Sequence, residues 1–212
     1  MTEKDLFDWM REHQSNKRLT QAMVDGGKAM IASMGILEVK KALTKINGWD
    51  DISGLKISET GITLIADFEK FVPTPYLDAV GVWTIGYGNT YYLNGRKVKP
   101  TDPALTLAQA TKLKMDIIDR DFAAAVNIMF ADQITAGKIK QHQFDALVSL
   151  AYNIGISALQ GSSVARYVKA GKMTAAADAF LLWNKGKVNG RRVVLKGLVR
   201  RREAERKMFL GK

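Results

Sequence analysis

Between Ser58 and Val72 the apolar residues Ile62, Ile65 and Ala66 are followed by Glu69 at i, i+3, i+4 and i+7, the spacing of one helical face. Ser58 is suited to cap such a helix and Pro73 to end it, which predicts a helix running to Val72 with Glu69 in its last turn. There the negative end of the helix dipole disfavours an anion. Past Pro73 and Pro75 the pattern changes to alternation. The stretch from Tyr76 to about Lys99, with Asn94-Gly95 as a turn signal, predicts a short twisted hairpin. Gly81, Gly86 and Gly88 suit tight turns within it. Thr106 and Gln109 form a capping box that opens a long helix toward Met129. Phe144, Leu147, Val148 and Ala151 place one face of the next helix in a core, and Ala175 to Trp183 and Leu198 to Leu210 supply further helices. The expected fold is mainly α with a small β-hairpin subdomain: two lobes joined by a long helix, with a cleft between them.

The first 55 residues follow a different pattern. Leu6, Trp9 and Met10 fit one amphipathic turn, and a second helical stretch starts near Leu19, breaks at Gly26-Gly27 and resumes toward Lys45. Asn47 to Gly54 reads as a linker. The chain therefore divides into an N-terminal helical segment, residues 1–55, and a larger domain, residues 56–212. The segment is expected to pack against the domain or to help it bind.

Composition narrows the chemistry. A chain of 212 residues with 47% hydrophobic content can bury a sizeable core. It has no cysteine, which excludes a disulfide framework and a Cys-ligated zinc site, and its two histidines, His13 and His142, are far apart. No metal or cofactor is expected. No secretory signal is read at the start, and the most apolar run, Ala29 to Val39, contains Glu38 and is too short to cross a bilayer. The net charge of +11 is concentrated in residues 161–212, which hold fourteen basic and three acidic residues. Arg191, Arg192, Lys196, Arg200, Arg201 and Arg202 form its densest patch. The alternative is a solvated helix face with some arginines paired to Glu203 or Glu205. With neither aromatic platforms nor a known motif beside it, the patch is not expected to bind nucleic acid.

Glu69, Asp78 and Thr84 stand at intervals of nine and six. Two carboxylates are what glycoside hydrolysis requires, one to protonate the leaving oxygen and one to activate water or attack the sugar. Asp78, past two prolines in turn-rich chain, suits the ionised role. Spacing alone leaves an ordinary surface pair open. The run Glu, eight residues, Asp, five residues, Thr, followed by Gly86-Tyr87-Gly88, resembles the phage-type lysozymes of glycoside hydrolase family 24. The resemblance continues through Gln143 to Gly155, Phe180 to Gly186 and Lys196 to Arg206, covering about residues 56 to 212.

That resemblance implies a muramidase, cutting the β-1,4 bond between N-acetylmuramic acid and N-acetylglucosamine in peptidoglycan. Glu69 would be the general acid, Asp78 would position and activate water, Thr84 would help hold it, and the anomeric centre would be inverted. Tyr152, Asn153 and Ser163 match positions that face the glycan. Asn89 departs from the histidine many relatives carry there. A monomer is expected, with peptidoglycan as its partner and the anionic outer membrane as a second partner of the basic region. The setting implied is a phage or prophage endolysin held in the host cytoplasm until release to the cell wall. Two other classes stay open: a non-catalytic wall-binding or membrane-disrupting protein, and a lytic transglycosylase, which would form an anhydro sugar.

Overall fold

The computed structural model describes residues 3–12, 18–34, 54–78, 80–188 and 190–212. The readings made for His13, for the helix beyond residue 34 and for the linker up to residue 53 lie outside the described residues, as do those for the side chains of Leu6 and Trp9.

Helix α1 (Glu3–Glu12) and helix α2 (Gln21–Met34) open the fold. Contrary to the expected break, α2 runs unbroken through Gly26 and Gly27. These glycines serve close packing. A Cβ on Gly27 would come within 2.7 Å of the Phe7 ring, and one on Gly26 would touch Ile156 at 3.4 Å. Two glycines cost helix propensity, roughly 1 kcal/mol each, and here they let other side chains approach the α2 backbone. Phe7, Met10 and Met30 join the same apolar core as the helices that follow.

The chain enters the larger domain through a stitched segment. The Leu55 N–H donates to Asn127 Oδ1 at 3.0 Å, and Asn127 Nδ2 donates back to the Leu55 carbonyl at 2.8 Å. The Ile57 N–H donates to Asp119 Oδ1 and the Ser58 N–H to Asp145 Oδ1, at 2.8 and 3.0 Å. Gln141 Nε2 reaches the Lys56 carbonyl at 2.8 Å.

Helix α3 (Glu59–Ala66) starts as its sequence predicts, with the Ser58 hydroxyl accepting the Gly61 N–H. It stops earlier than expected. Asp67 caps it, and the N–H groups of Phe68 and Glu69 close tight turns onto the carbonyls of Ile65 and Ala66. Pro73 forces Val72 into extended backbone, so the turn between helix and strand must be made upstream of Val72. Glu69 therefore sits in that turn and not in the helix.

Strand β1 (Val72–Leu77) pairs antiparallel with β2 (Trp83–Gly86), setting Tyr76 opposite Thr84 and Leu77 opposite Trp83. The turn of this hairpin lies at residues 78–82, not at Asn94-Gly95. Asn94 and Gly95 belong to a smaller loop closed by a bridge between Tyr91 and Lys97.

The long helix read from Thr106 has three parts: α4 (Leu107–Ile118), a π-helical turn at Asp119–Ala123, and α5 (Ala124–Met129). The capping box at Thr106 and Gln109 is formed. A π turn takes up an extra residue and shifts the side-chain phase. Within it Asp119 receives the Ile57 N–H, while Asp121 accepts the Tyr91 hydroxyl at 2.9 Å and Arg120 Nε at 2.7 Å.

The larger lobe contains α6 (Ala131–Thr135), α7 (Gln141–Ile154), α8 (Ile156–Gln160), α9 (Ser163–Lys169), α10 (Met173–Phe180) and α11 (Lys196–Phe209). Helix α7 is central, with Phe144, Leu147, Val148 and Ala151 fully buried. Phe180 and Phe209 pack with ring centroids 5.3 Å apart. A second hairpin, β3 (Lys185–Val188) with β4 (Arg191–Val194), lies between α10 and α11 and was not expected from the charge-rich sequence there.

Candidate active site

The turn after α3 brings Glu69 to the wall of a groove of about 570 Å³, which Phe68, Asn153, Leu198, Arg200 and Arg201 also line. Arg201 Nη1 donates to Glu69 Oε1 at 3.2 Å. The same guanidinium is anchored from behind, its Nε donating to Glu205 Oε1 at 3.2 Å. Arg202 Nη2 and Ser149 Oγ donate to that Glu205 oxygen at 2.8 and 2.7 Å. Burial pushes the Glu205 carboxyl above its ordinary value, while Arg202, Ser149 and Arg201 pull it back. A chain of charge thus runs from the core of the helical lobe to the carboxylate in the groove.

This arrangement corrects the basic patch. Arg191, Arg192, Lys196 and Arg200 are exposed, but Arg201 is 4% exposed and Arg202 0%. Glu205 lies three and four residues beyond them on α11, so all three side chains share one inward face. That spacing was visible in the sequence. The buried partner Ser149, on α7, was not.

Asp78 and Thr84 stand on the β1–β2 hairpin that begins three residues after Glu69. The Asp78 N–H donates to the Val82 carbonyl, and Asp78 Oδ1 accepts the N–H groups of both Val80 and Val82 at 2.9 Å. Gly81, at φ 79°, completes the turn in a conformation other residues rarely adopt. The Thr84 side chain is buried, its hydroxyl donating to the Val82 carbonyl at 3.0 Å and keeping acceptor capacity for water. Neither residue lines the Glu69 groove itself; both are on the adjoining hairpin.

The three expected glycan contacts separate. Asn153 is exposed and lines the groove. Tyr152 lies behind it, its hydroxyl accepting from Lys114 Nζ at 2.8 Å and its ring edge-on to Phe122. Burial pushes that hydroxyl well above its ordinary value, and Glu69 adds to the effect. Ser163, in the first turn of α9, is not among the lining residues; its neighbour Ser162 caps the helix. Asn89 is buried and pairs with Ile85 through the backbone in both directions.

A second groove of about 370 Å³ is lined by Asn153, Ile154, Trp183, Lys185, Arg192 and Leu198. It shares Asn153 and Leu198 with the first, so the two grooves adjoin, one at Glu69 and the other at the β3–β4 hairpin. On that hairpin Lys187 lies directly opposite Arg192, and Lys185 is on the same face. Like charges so placed repel. Among the described residues no carboxylate pairs with Lys185 or Arg192, and no cluster of three or more His, Cys, Asp or Glu side chains is placed to hold a metal.

Residues 66–205 match the family described as phage lysozyme. The endolysin of Acyrthosiphon pisum secondary endosymbiont phage 1 is 36% identical over 155 residues, taking in 73% of this chain and 98% of that protein. The endolysin of Bacillus phage B103 is 39% identical over 163 residues and 74% of this chain, which spans only 54% of that longer protein. Among solved structures, the endolysin of Escherichia coli O157:H7 phage FAHEc1 superposes with a TM-score of 0.61 at 36% identity, covering 74% of this chain and 94% of that one. The muramidase domain of SpmX from Asticaccaulis excentricus gives 0.55 at 33% identity, covering 73% and 97%. The turn that carries Glu69, the hairpin that carries Asp78 and Thr84 and the helical lobe behind them all fall within the matched span, and the chain belongs to the phage lysozyme family.

Proposed function

We propose that this chain is a lysozyme-type glycoside hydrolase, a muramidase that cuts the β-1,4 bond between N-acetylmuramic acid and N-acetylglucosamine, and that it serves a phage or prophage as an endolysin. The observation that carries this reading is Glu69 at the groove wall, gripped by a buried arginine, with Asp78 and Thr84 on the hairpin that follows directly.

In this reading Glu69 gives its proton to the glycosidic oxygen as the bond from that oxygen to the anomeric carbon breaks. A water held by Asp78 and Thr84 supplies the new oxygen from the opposite face, and its proton passes to Asp78, so the configuration inverts. Arg201 occupies Glu69 Oε1 and fixes the carboxyl. The adjoining groove lined by Lys185 and Arg192 suits the carboxylates on the peptide stems of the wall, and the exposed cations Arg191, Arg192, Lys196 and Arg200 suit outer-membrane phosphates as a second surface. Among the described residues no helix is long and apolar enough to cross a membrane. The working order is retention on the cytoplasmic side, followed by release to the wall as a monomer.

The test is a digest of purified peptidoglycan by the wild type and by Glu69→Gln, read as released sugars by mass spectrometry. Reducing muramic ends that disappear with the variant are the expected result, with a rate loss of about 10²–10⁴-fold. Anhydro ends would replace hydrolysis with transglycosylation, and undiminished cleavage by the variant would remove Glu69 from the reaction.

A further inference from the structure

Lys114 is out of place for a lysine. It lies on α4 at 3% exposure, and lysine is almost never fully buried unless paired. No carboxylate touches it among the described residues; its ammonium donates to the Tyr152 hydroxyl and lies 4.8 Å from the centre of the Tyr152 ring. That ring carries a second cation, for the Arg201 guanidinium is 5.8 Å from its centre and 5.5 Å from that of Phe68. The anion nearest in effect is Glu69, already held by Arg201. Two cations and a tyrosine from three helices therefore stand behind one carboxylate.

We propose that Lys114 is a positioning residue for the reaction: its ammonium, seated on Tyr152, forms with Arg201 a cationic wall that holds the Glu69 carboxylate after its proton has passed to the leaving oxygen. The proposal rests on Glu69 being the general acid. A buried ammonium with one hydrogen bond is costly, and an apolar side chain would fill the site without that cost, so the lysine makes sense as charge directed at the groove. Burial pulls Lys114 down to about 8, with Glu69 pushing it up and Arg201 down, so it stays protonated through neutral pH. The groups facing Glu69 are Arg201 from α11, Lys114 from α4 and Tyr152 from α7, with Asp67 and Arg200 at the groove rim. Tyr91, tied to Asp121 and Arg120, also bears on Tyr152.

The experiment measures kcat and KM on a soluble peptidoglycan fragment across pH for the wild type, Lys114→Met, Tyr152→Phe and Glu69→Gln. Removing the cation leaves the Glu69 anion less stabilised once its proton has gone to the leaving oxygen. The expected result for Lys114→Met is an alkaline limb moved upward by about half a pH unit or more, with a lower peak kcat and an unchanged KM. Tyr152→Phe keeps the ring but strips the ammonium of its hydrogen bond, and should move the limb the same way by less. It also decides the matter if Lys114→Met does not fold. An alkaline limb that stays at its wild-type position in the folded variants would overturn the proposal while Glu69→Gln remained inactive. Full activity in Glu69→Gln would overturn the general-acid reading itself, and the proposal with it.

Discussion

The two hairpins of this protein are alike in size and opposite in surroundings. In the first, the residues of β2 from Thr84 to Gly86 are buried, and the turn is organised by an aspartate that accepts two backbone N–H groups. In the second, all four residues of β4 are exposed, and the face toward the groove carries Lys185, Lys187 and Arg192 with no acid among them. A hairpin packed on a core can place a side chain within fractions of an ångström, as a water-positioning group requires. One held mainly by its own ladder presents charge and adapts to what it meets. Their positions suit chemistry at the first hairpin and contact at the second.

The largest effect that can test this division is Asp78→Asn. The amide oxygen can still accept the Val80 and Val82 N–H groups, so the hairpin should persist while hydrolysis falls by about 10²–10⁴-fold. A matching loss of thermal stability would show that Asp78 is a turn residue alone.

Next in size is the effect of Lys114 on stability, on the helix against which β2 packs. Burial lowers its folded-state pKa from 10.5 to about 8, so the unfolded chain binds that proton more tightly. The penalty is present in full below pH 8 and is relieved as pH rises toward 10.5. Lys114→Met should therefore stabilise the protein at neutral pH by roughly 2–3 kcal/mol, with the gain shrinking to nothing above about pH 10.5. Chemical denaturation at pH 7 and pH 11 measures it, and an equal gain at both would contradict the electrostatic account.

Smaller still is the second hairpin. Lys185→Glu with Arg192→Glu should weaken binding to whole cell walls by roughly tenfold at low salt and little at high salt, with the unfolding transition unchanged. A salt-independent loss would point to damaged packing around Trp183 instead. Smallest in stability, Thr84→Val removes one buried hydroxyl and its bond to the Val82 carbonyl and should cost about 1 kcal/mol in a denaturant titration, while hydrolysis falls with the loss of a group proposed to hold the water.

The same contrast explains what could be read from the sequence. Helix α7 declared itself through its apolar spacing, while the first hairpin was expected over Tyr76 to Lys99 with its turn at Asn94-Gly95 and forms earlier in the chain, turning at residues 78–82. Glu69, Asp78 and Thr84 could be singled out as candidates because the motif that carries the resemblance lies in one short run of sequence. The second hairpin carried its own turn signal, Asn189-Gly190 with Val188 before it and Val193-Val194 after it, but its lysines and arginines made the stretch read as a charged face. What was not legible was long-range. Arg201 is 132 residues from Glu69, and Lys114 is 38 from Tyr152. Helix spacing sets Arg201 and Arg202 beside Glu205, but no local pattern names Glu69 as the far partner or announces that a lysine on an amphipathic helix will turn inward to meet Tyr152. The early end of α3 was missed for a nearer reason, since Pro73 acts on the residue before it and the turn had to be made upstream.

The stitched entry at residues 54–58 has a consequence for anyone who would cut or fuse this protein. Its backbone bonds end on four side chains, Asn127, Asp119, Asp145 and Gln141, and a Cβ on Gly54 would collide with Asn127 at 2.4 Å. A truncation that begins at Ser58 would take the Leu55 partner from Asn127, the Ile57 N–H from Asp119 and the Lys56 carbonyl from Gln141. One that begins at Gly54 keeps the whole seam but still takes Phe7, Met10 and Met30 out of the shared core, so a cut there spares the stitched entry while uncovering the surface on which α1 and α2 pack.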